Sequence, residues 1–476
     1  MPAGTLSLSH LNGDVLSEIL GYLDVEDVIN VRKASRALMV AGAERAVWHS
    51  VYTHSRLLLP LGPLSHQHAR DLERLLVRST LLYRTWGPNP SRAPRTPSKY
   101  TFPRKLPTYG FDAQMISGRY LQIAEECRIS WYDLDGDRHT PLVSYECPCA
   151  IDMVPGYLSH QTNAQDQGES SIWVTFICSY PTRVMVLKLC LDGTQSTVTL
   201  QVVIPGERII EVKLSRDYIL LVKEFVSRDE PTELYHIPSN SIFYVPRHSQ
   251  IQKVSDLSHM NYTFSPSHLL TIYPLRTETH IEAYPLPHTP NGHLVQAIED
   301  PHLKLSHRGV YPQMLSRINL FNQRTHRTPQ TAEATGGVEY DLSLLTIAYM
   351  PHPVRWTAEI NLQLLDARLS HSGMIEFSTR CSYPLKLAGI AVSSLSSTSN
   401  NGVGFAVTQS SAFPPDLNVY HIQHQHGTEP SAISVQSLKI PAGLENRELL
   451  GFDGYRGRLC LIDSWTRIEI LDYMGM

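Results

Sequence analysis

The sequence YLQIAEECRISWYDL at Tyr120–Leu134 carries the pattern that decides the fold. An apolar run is followed by a short polar gap and a second run, which ends in an aromatic residue, any residue and an aliphatic one. Runs of this length between polar gaps are typical of β-strands, and a short gap suits a hairpin. The stretch therefore predicts two neighbouring antiparallel strands.

The same unit recurs along the chain, with starts that lie between 46 and 76 residues apart. The seven occurrences are Tyr120–Leu134, Ile172–Leu189, Tyr218–Ile237, His268–Leu286, Leu344–Leu364, Val403–Ile422 and Leu459–Tyr473. Antiparallel units repeated at roughly fifty-residue spacing indicate a β-propeller, in which a closed ring protects the sheet edges. Seven blades fit best and six or eight would also fit, while a less regular pair of β-sandwiches is the alternative fold.

Three further features belong to this β-region, residues 100–476. Asp135-Gly136 and Asp192-Gly193 separate apolar runs and predict hairpin turns. We expect a strand from about Thr101–Ile116 to complete the last sheet, around Leu450–Tyr473. A Pro-, His- and Thr-rich insertion, about Pro287–Gly337, is expected to form loops. The units are similar to tryptophan–aspartate-repeat blades, although no Gly-His opening recurs and no Trp-Asp ending is intact.

A different pattern occupies Leu8–Trp48, where apolar residues recur at helical spacings. We predict three short amphipathic helices, with Val15, Leu16, Ile19 and Leu20 in the first. About forty residues cannot bury this much apolar surface by themselves. The first thirty residues also contain five acidic residues and no Lys or Arg. The surplus apolar surface must therefore contact the rest of the chain or another protein, and the acidity helps to select that partner.

The segment Leu11–Leu23, followed by Asp27-Val28, Val31–Arg36 and a closing Trp48, resembles the F-box. It departs from the F-box pattern at Asn12, where proline is expected, and at Ala34, where valine is usual; Asn12 can still cap a helix. The resemblance implies binding to the Skp adaptor, and through it to the cullin, of a ubiquitin ligase. The candidate adaptor-binding or core positions are Leu11, Val15, Leu16, Ile19, Leu20, Leu23, Val28, Val31 and Trp48. Periodicity alone does not separate adaptor contacts from the core of the helices, and a helical cap packed only on its own β-domain is the alternative.

A longer helix is predicted from Ser65, as its N-cap, to about Trp86, with one apolar stripe. The Pro-rich segment Pro88–Pro97 has the composition of a linker. The expected organisation is therefore an F-box at 8–48, a linker helix and Pro-rich linker at 49–99, and a propeller-like domain at 100–476. In fold class this is a multidomain α + β chain.

Composition excludes several functions. A net charge of −4 leaves no basic footprint for nucleic acid, and no apolar run is long enough to cross a bilayer. Seven scattered cysteines do not resemble a disulfide framework and favour a reducing compartment. We therefore expect a protein of the cytoplasm, the nucleus or both, with no nucleic-acid or membrane partner.

Sequence signatures of enzymes are weak. The chain has no Walker loop, dinucleotide fingerprint, Gly-x-Ser-x-Gly elbow or His-Glu-x-x-His. Cys147-Pro148-Cys149 lacks the spacing of a metal or redox pair, and His421, His424 and His426 are expected on a solvated hairpin. Acids near strand ends are expected to form turns, namely Asp133, Asp366, Asp463 and Asp472. We expect no cofactor, no metal and no catalytic residue.

These observations favour a non-enzymatic receptor that docks the Skp adaptor and presents a protein substrate on its β-domain. An F-box scaffold in a non-degradative adaptor complex is a second hypothesis, and a propeller enzyme with a helical appendage is a third. The sequence does not identify the substrate or the face of the propeller that would bind it.

Overall fold

The structure, a computed structural model, describes residues 11–474. The described range omits 61, 64–66, 92–95, 104–110, 117, 149, 152–157, 164–170, 179–181, 193–194, 206–208, 216, 224–231, 247–259, 288–299, 327–338, 352–357, 371, 386–391, 401–402, 411–416, 425–430, 439, 445–446 and 464–466. The helices are α1 (Gly13–Leu20), α2 (Val25–Val31), α3 (Arg36–Ala41), α4 (Arg45–His54) and α5 (Ala69–Trp86). We call α1–α5 the helical domain.

Twenty-eight strands follow the helices in the described residues. They are β1 (Ser98–Thr101), β2 (Phe111–Ile116), β3 (Tyr120–Glu125), β4 (Arg128–Asp133), β5 (Val143–Glu146), β6 (Leu158–Asn163), β7 (Ser171–Cys178), β8 (Arg183–Asp192), β9 (Gln195–Pro205), β10 (Ile209–Ser215), β11 (Tyr218–Lys223), β12 (Thr232–His236), β13 (Ser241–Val245), β14 (Asn261–Phe264), β15 (His268–Pro274), β16 (Thr279–Pro285), β17 (His307–Tyr311), β18 (Met314–His326), β19 (Glu339–Pro351), β20 (Ala358–Leu369), β21 (Ile375–Pro384), β22 (Val392–Asn400), β23 (Val403–Ser410), β24 (Leu417–Gln423), β25 (Ala432–Ser437), β26 (Glu448–Asp453), β27 (Arg458–Ile462) and β28 (Ile468–Asp472).

The strands form seven four-stranded antiparallel sheets, which are the blades of a β-propeller. Blades 1 to 6 are β2–β5, β6–β9, β10–β13, β14–β17, β18–β21 and β22–β25, and blade 7 has the order β1-β28-β27-β26. Inner strands of neighbouring blades lie against each other, for example β2 against β6 and β26. The predicted seven-bladed propeller is therefore confirmed, and the β-sandwich alternative is not.

Each predicted unit coincides with the two middle strands of one blade, as Tyr120–Leu134 does with β3 and β4. The recurring end of the unit has a local cause. The residue after the third strand donates its N–H to the carbonyl before the second strand, which closes that strand pair. These bonds are Leu134 to Arg119 (2.7 Å), Ile237 to Asp217 (2.8 Å), Leu286 to Ser267 (2.9 Å) and Tyr473 to Gly457 (3.0 Å).

The strand that closes the ring begins earlier than expected. β1 pairs with β28 through four residues, from Ser98 opposite Asp472 to Thr101 opposite Glu469. The end of the expected segment, Phe111–Ile116, instead forms β2, the innermost strand of blade 1, which pairs with β3 across a tight turn at Gly118. The tight turn places β2 next to β3. Pairing two strands across a short loop costs less conformational entropy than pairing a strand with a sheet that is distant in sequence.

The insertion at Pro287–Gly337 was expected to form loops, but it contains strands. β17 is the outer strand of blade 4 and β18 is the inner strand of blade 5. β17 has alternating exposed and buried residues but is only five residues long, which is too short for a clear signal beside so many Pro and His residues. Residues 288–299 and 327–338 of the insertion lie outside the described part of the chain.

Between residues 11 and 54 the structure has four helices, one more than predicted, because Trp48 lies inside a further helix, α4. Ser35 caps α3 by accepting from the Leu38 N–H (3.2 Å). Asn12 occupies the N-cap of α1 without a side-chain cap bond. The predicted long helix begins at Ala69 with a capping box of His68 and Asp71, while Ser65 is outside the described residues. Within the described residues, no helix combines the length and the apolar character needed to cross a membrane.

Candidate docking surface on the helical domain

The nine residues predicted from the F-box resemblance divide into three groups. Four are buried in the core of the helical domain, and these are Leu16, Leu20, Val28 and Trp48. Three are partly buried and pack against that core, and these are Leu11, Leu23 and Val31. Val15 and Ile19 are different, because 43% and 39% of their surface is exposed. The structure therefore separates buried from exposed positions, which periodicity could not do.

Val15, Ile19 and Tyr22 are exposed apolar residues at helical spacing along α1 and the turn after it, and we call them the α1 stripe. Tyr22 is 71% exposed, and it was not among the predicted contacts. Its spacing of three from Ile19 was the available signal. Asp14, Glu18, Asp24 and Asp27 are also exposed on this part of the chain, so the stripe lies in an acidic setting.

A second exposed apolar feature is Met39 and Val40 on α3, which we call the α3 pair. Val40 borders a cavity of about 450 Å³ between α1 and α3, whose other apolar walls include Leu11 and Leu16. Arg36 and Glu44 supply charged groups at its margin. The cavity is large enough to receive a partner's side chain.

Polar contacts hold these helices in register. The Ser17 hydroxyl donates to Glu44 (2.8 Å), which ties α1 to the start of α4. Arg32 donates to Glu73 on α5 (2.7 Å) and its guanidinium lies over the Trp48 ring at 5.9 Å. These contacts tie α1 to α4 and the end of α2 to α5.

Helix α5 joins this surface to the propeller through an aromatic contact. Trp86, with 1% of its surface exposed, packs against Phe405 of blade 6 and against Phe452 and Tyr473 of blade 7. The ring centroids lie 5.7, 6.1 and 5.4 Å from that of Trp86. Leu58, which precedes α5, belongs to the same cluster.

A buried ion pair reinforces the junction. Arg78 donates through two nitrogens to the carbonyl of Arg456 (2.9 and 2.7 Å) and to the carboxylate of Asp472 (3.0 and 3.1 Å). Burial lowers the pKa of Arg78, and the nearby Asp472 opposes that change. A group with these partners fixes the direction of α5 across blade 7, because the guanidinium fork has a rigid geometry.

The Asp472 carboxylate also belongs to a network of ion pairs and hydrogen bonds at the junction of blades 7 and 1. Arg458 donates to Asp472 (3.0 Å) and to the carbonyl of Gly118 (2.9 Å), and forms an ion pair with Asp135 (2.6 Å). Burial by itself raises the pKa of Asp135, but the guanidinium groups of Arg458 and Arg456 hold it below its usual range. The helical domain is thus anchored where the ring closes.

The histidines expected on a solvated hairpin are buried, so that prediction is wrong for His421 and His424, while His426 lies outside the described residues. His421 stacks edge-on against Tyr83 of α5 at 5.4 Å, and burial lowers its pKa to about 4. Sequence periodicity could not show this, because the covering group comes from a distant helix.

His424 and two other side chains form a polar cluster between blades 5 and 6. Its Nε2 lies 3.0 Å from Asp366 and 3.3 Å from Ser343. Burial raises the pKa of Asp366, but bonds from His424, Arg380 and Ser343 lower it to about 2. A Ser-His-Asp relay needs the carboxylate on the second ring nitrogen. Since both contacts use Nε2, the arrangement differs from that relay, and it links blades 5 and 6.

The other acids near strand ends do form turns. Asp133, Asp463 and Asp472 accept the N–H groups of Asp135 (2.9 Å), Arg467 (2.8 Å) and Met474 (3.0 Å). Asp366 is the exception described above. Among the described residues, no group of three or more His, Cys, Asp or Glu side chains could hold a metal ion.

No protein-family model matches the sequence, and no curated protein matches it. Similar solved structures include the WD40 domain of SCAP from fission yeast, which is 9% identical with a TM-score of 0.40 and covers 76% of this chain and 85% of that chain. Sqt1 from Chaetomium thermophilum is 10% identical with a TM-score of 0.40, and covers 80% of this chain and 99% of its own. Domains 1–2 of Drosophila Semaphorin 1b are 6% identical with a TM-score of 0.41, and cover 80% and 87% of the two chains.

The sheet topology of the described residues defines a seven-bladed β-propeller, which is preceded by a helical domain.

Proposed function

We propose that this protein is the substrate-recognition subunit of a Skp–cullin–F-box ubiquitin ligase. The observation that carries the proposal is the division of the F-box-like residues into a closed core and an exposed α1 stripe. Leu16, Leu20, Val28 and Trp48 complete the fold of the helices, which leaves Val15 and Ile19 available to an adaptor.

Exposed aliphatic side chains favour association because burying them removes apolar surface from water. Full burial of a Val or Ile side chain contributes about 1.5–3 kcal/mol. An amphipathic helix that places such residues at spacings of three and four suits a groove on a partner protein. The acidic residues around the α1 stripe favour a partner with basic groups at the margin of that groove.

The contribution of the chain to catalysis would be proximity. Trp86 and Arg78 fix the helical domain on blades 6 and 7, so a substrate held by the propeller keeps a defined position relative to the adaptor. Ubiquitin transfer would be performed by the assembled ligase and its conjugating enzyme. Such a role places the protein in the cytoplasm, the nucleus or both.

Affinity purification of the full chain tests the adaptor contact. Val15→Asp combined with Ile19→Asp places two charges in the desolvated contact, at a cost of several kcal/mol. At about 1.4 kcal/mol per decade, adaptor binding should weaken at least about a thousandfold. The matched control is Leu200→Asp with Val203→Asp, because these β9 side chains are similarly exposed, at 44% and 41%.

The expected result is loss of the Skp adaptor from the first double variant and retention by the second, with both propellers folded by circular dichroism. Retention of the adaptor by a folded Val15→Asp, Ile19→Asp variant would contradict the proposal. Point variants are preferable to deletion of residues 1–60, which would remove Leu58 from the junction with Trp86. Proteasome inhibition should raise the level of a degraded substrate, whereas the partners of a non-degradative scaffold should stay unchanged.

A further inference from the structure

A cavity of about 390 Å³ lies at one end of the central channel of the propeller. Its walls come from the inner strands of blades 1, 6 and 7, near the ends of β2, β22 and β26, and from the turn that follows β26. Several wall residues are only partly buried, so the cavity can be reached from solvent; these include Gln114, Thr398 and Tyr455. Its volume is large enough to receive a side chain of a partner protein.

Asp453 ends β26 and, with 3% of its surface exposed, is the one charged residue among the described residues that line this cavity. Its Oδ1 accepts the Tyr455 N–H at 2.8 Å, whereas Oδ2 has no hydrogen-bond partner among the described residues. The Arg456 guanidinium lies 3.7 Å from Oδ2, which is too long for a hydrogen bond, and it is shared with Asp135 (3.4 Å). A buried acceptor without a donor is costly. Oδ2 therefore marks a position that a donor from a ligand would satisfy.

The other polar groups of the wall are held in place. The Gly454 N–H donates to the Thr398 hydroxyl (3.1 Å), and the Tyr455 hydroxyl donates to the carbonyl of Ser399 (3.3 Å). These two bonds tie the turn after β26 to β22. Ser397 adds a second hydroxyl to the wall. The carboxylate and the hydroxyl groups thus belong to a site whose walls are already formed without a ligand.

We propose that this cavity binds the ammonium group of a lysine side chain from a partner protein. A lysine ammonium is a compact positive charge with three donors, which suits one available carboxylate oxygen beside the hydroxyls of Ser397 and Thr398. The arginine fork pairs best with two carboxylate oxygens, and the Tyr455 N–H already occupies one oxygen of Asp453. Apolar wall residues such as Met115 suit the alkyl stem of the lysine.

The site would hold its partner at the end of the propeller on which the helical domain docks. Arg456, in the turn after β26, accepts Arg78 of α5 through its carbonyl. A Cβ added to Gly454 of the same turn would lie 3.2 Å from Leu58, which belongs to the cluster around Trp86. If the protein acts as the proposed receptor, the partner is its substrate. The lysine site itself does not depend on the adaptor contact.

NMR of the full chain with isotope-labelled methionine methyl groups tests the proposal. Met115 lines the cavity, and Met185, which is buried in the core of blades 1 and 2, provides a reference signal. The probe is Nα-acetyl-lysine amide, which should shift the Met115 methyl signal in a saturable way and leave that of Met185 unchanged. Nα-acetyl-norleucine amide has the same stem without the amine, and should bind at least about tenfold more weakly because it lacks the charge-assisted hydrogen bond.

A variant tests the carboxylate directly. Asp453→Asn keeps the size of the side chain and should weaken binding of the lysine amide by about tenfold or more. The matched control is Asp112→Asn, because Asp112 is a partly buried carboxylate on β2 that does not line the cavity. The control should bind the lysine amide as the parent does. The adaptor is absent from this assay, so the result is independent of the α1 stripe.

Several outcomes would overturn the proposal. They are a Met115 signal that does not move, equal binding of the lysine and norleucine amides, and unchanged binding by a folded Asp453→Asn variant. Tighter binding of Nα-acetyl-arginine amide would contradict the choice of lysine, and tighter binding of spermidine would assign the cavity to a free polyamine instead of a side chain. If Asp453→Asn does not fold, the comparison of the lysine and norleucine amides in the parent still decides.

Discussion

Replacement of Trp86 by alanine should loosen the helical domain from the propeller without unfolding either part. The Trp86 ring fills the space between Phe405, Phe452 and Tyr473, and one edge lies over Gly457, where even a Cβ would come within 3.3 Å of the ring. The indole N–H is buried and has no hydrogen-bond partner among the described residues. The variant therefore loses packing and leaves no new polar group unpaired.

The size of the effect follows from the burial. Truncation of a fully buried Trp or Phe to alanine costs about 3–5 kcal/mol. Of this, each edge-to-face aromatic pair contributes roughly 0.5–1.5 kcal/mol beyond its buried area. At about 1.4 kcal/mol per decade, opening of the junction should become roughly a hundredfold to a thousandfold more frequent. The ion pair between Arg78 and Asp472 remains, so the two parts stay associated.

Hydrogen exchange measured by mass spectrometry is the suitable assay. We expect faster exchange in the last turns of α5 and at the Tyr473 N–H, which donates to the carbonyl of Gly457. Trp131→Ala is the matched control, because Trp131 is equally buried but lies in the core of blades 1 and 2. The control should accelerate exchange in blade 1 and leave α5 unchanged. Unchanged α5 exchange in Trp86→Ala, with the protein folded, would refute the role assigned to this junction.

Two further predictions concern stability. Gly118 has φ +60°, and an added Cβ would lie only 1.6 Å from the Asp453 carboxylate. Gly118→Ala should therefore lower the free energy of unfolding, measured in urea, by more than the about 1–2 kcal/mol that left-handed strain alone costs. The control is Gly443→Ala, which has φ +84° and open space around the added Cβ and should show the strain alone. Burial lowers the pKa of His421 to about 4. The contribution of the neutral ring to the free energy of unfolding is therefore complete above the ordinary pKa of about 6.5, and up to about 3 kcal/mol of it is lost as the pH falls toward 4. The free energies of unfolding in urea at pH 7 and pH 4.5 should differ less in His421→Phe than in the parent, and an equal difference would contradict this.

The repeated architecture could be predicted because its signal is local. The middle strands of each blade are largely buried, and the closing hydrogen bond, such as that from Leu134 to Arg119, joins residues close in sequence. Outer strands such as β5 and β17 have mixed exposure and little periodicity, so they escaped prediction. The partner of β1 lies some 370 residues away, and no local pattern specifies that register.

The docking surface could be predicted only as a set of candidates. Val15 and Ile19 share one line along α1, and Leu16 and Leu20 share the adjacent line, so both pairs have the same helical period. Which line faces inward depends on how α1 packs against α4, and that packing is a tertiary property. The same limit explains His421, whose burial depends on Tyr83 of α5.

Strand β28 explains why the helical domain sits where it does. It pairs with β1 on one side, which closes the ring, and its last residue, Asp472, receives both Arg78 of α5 and Arg458 of blade 7. Withdrawal of Arg78 would remove two hydrogen bonds from this carboxylate and leave a largely buried anion less well compensated, which is costly in a low-dielectric interior. Docking of α5 and closure of the ring are therefore coupled through one strand. The helices therefore cannot move far without disturbing the strand pair that closes the ring.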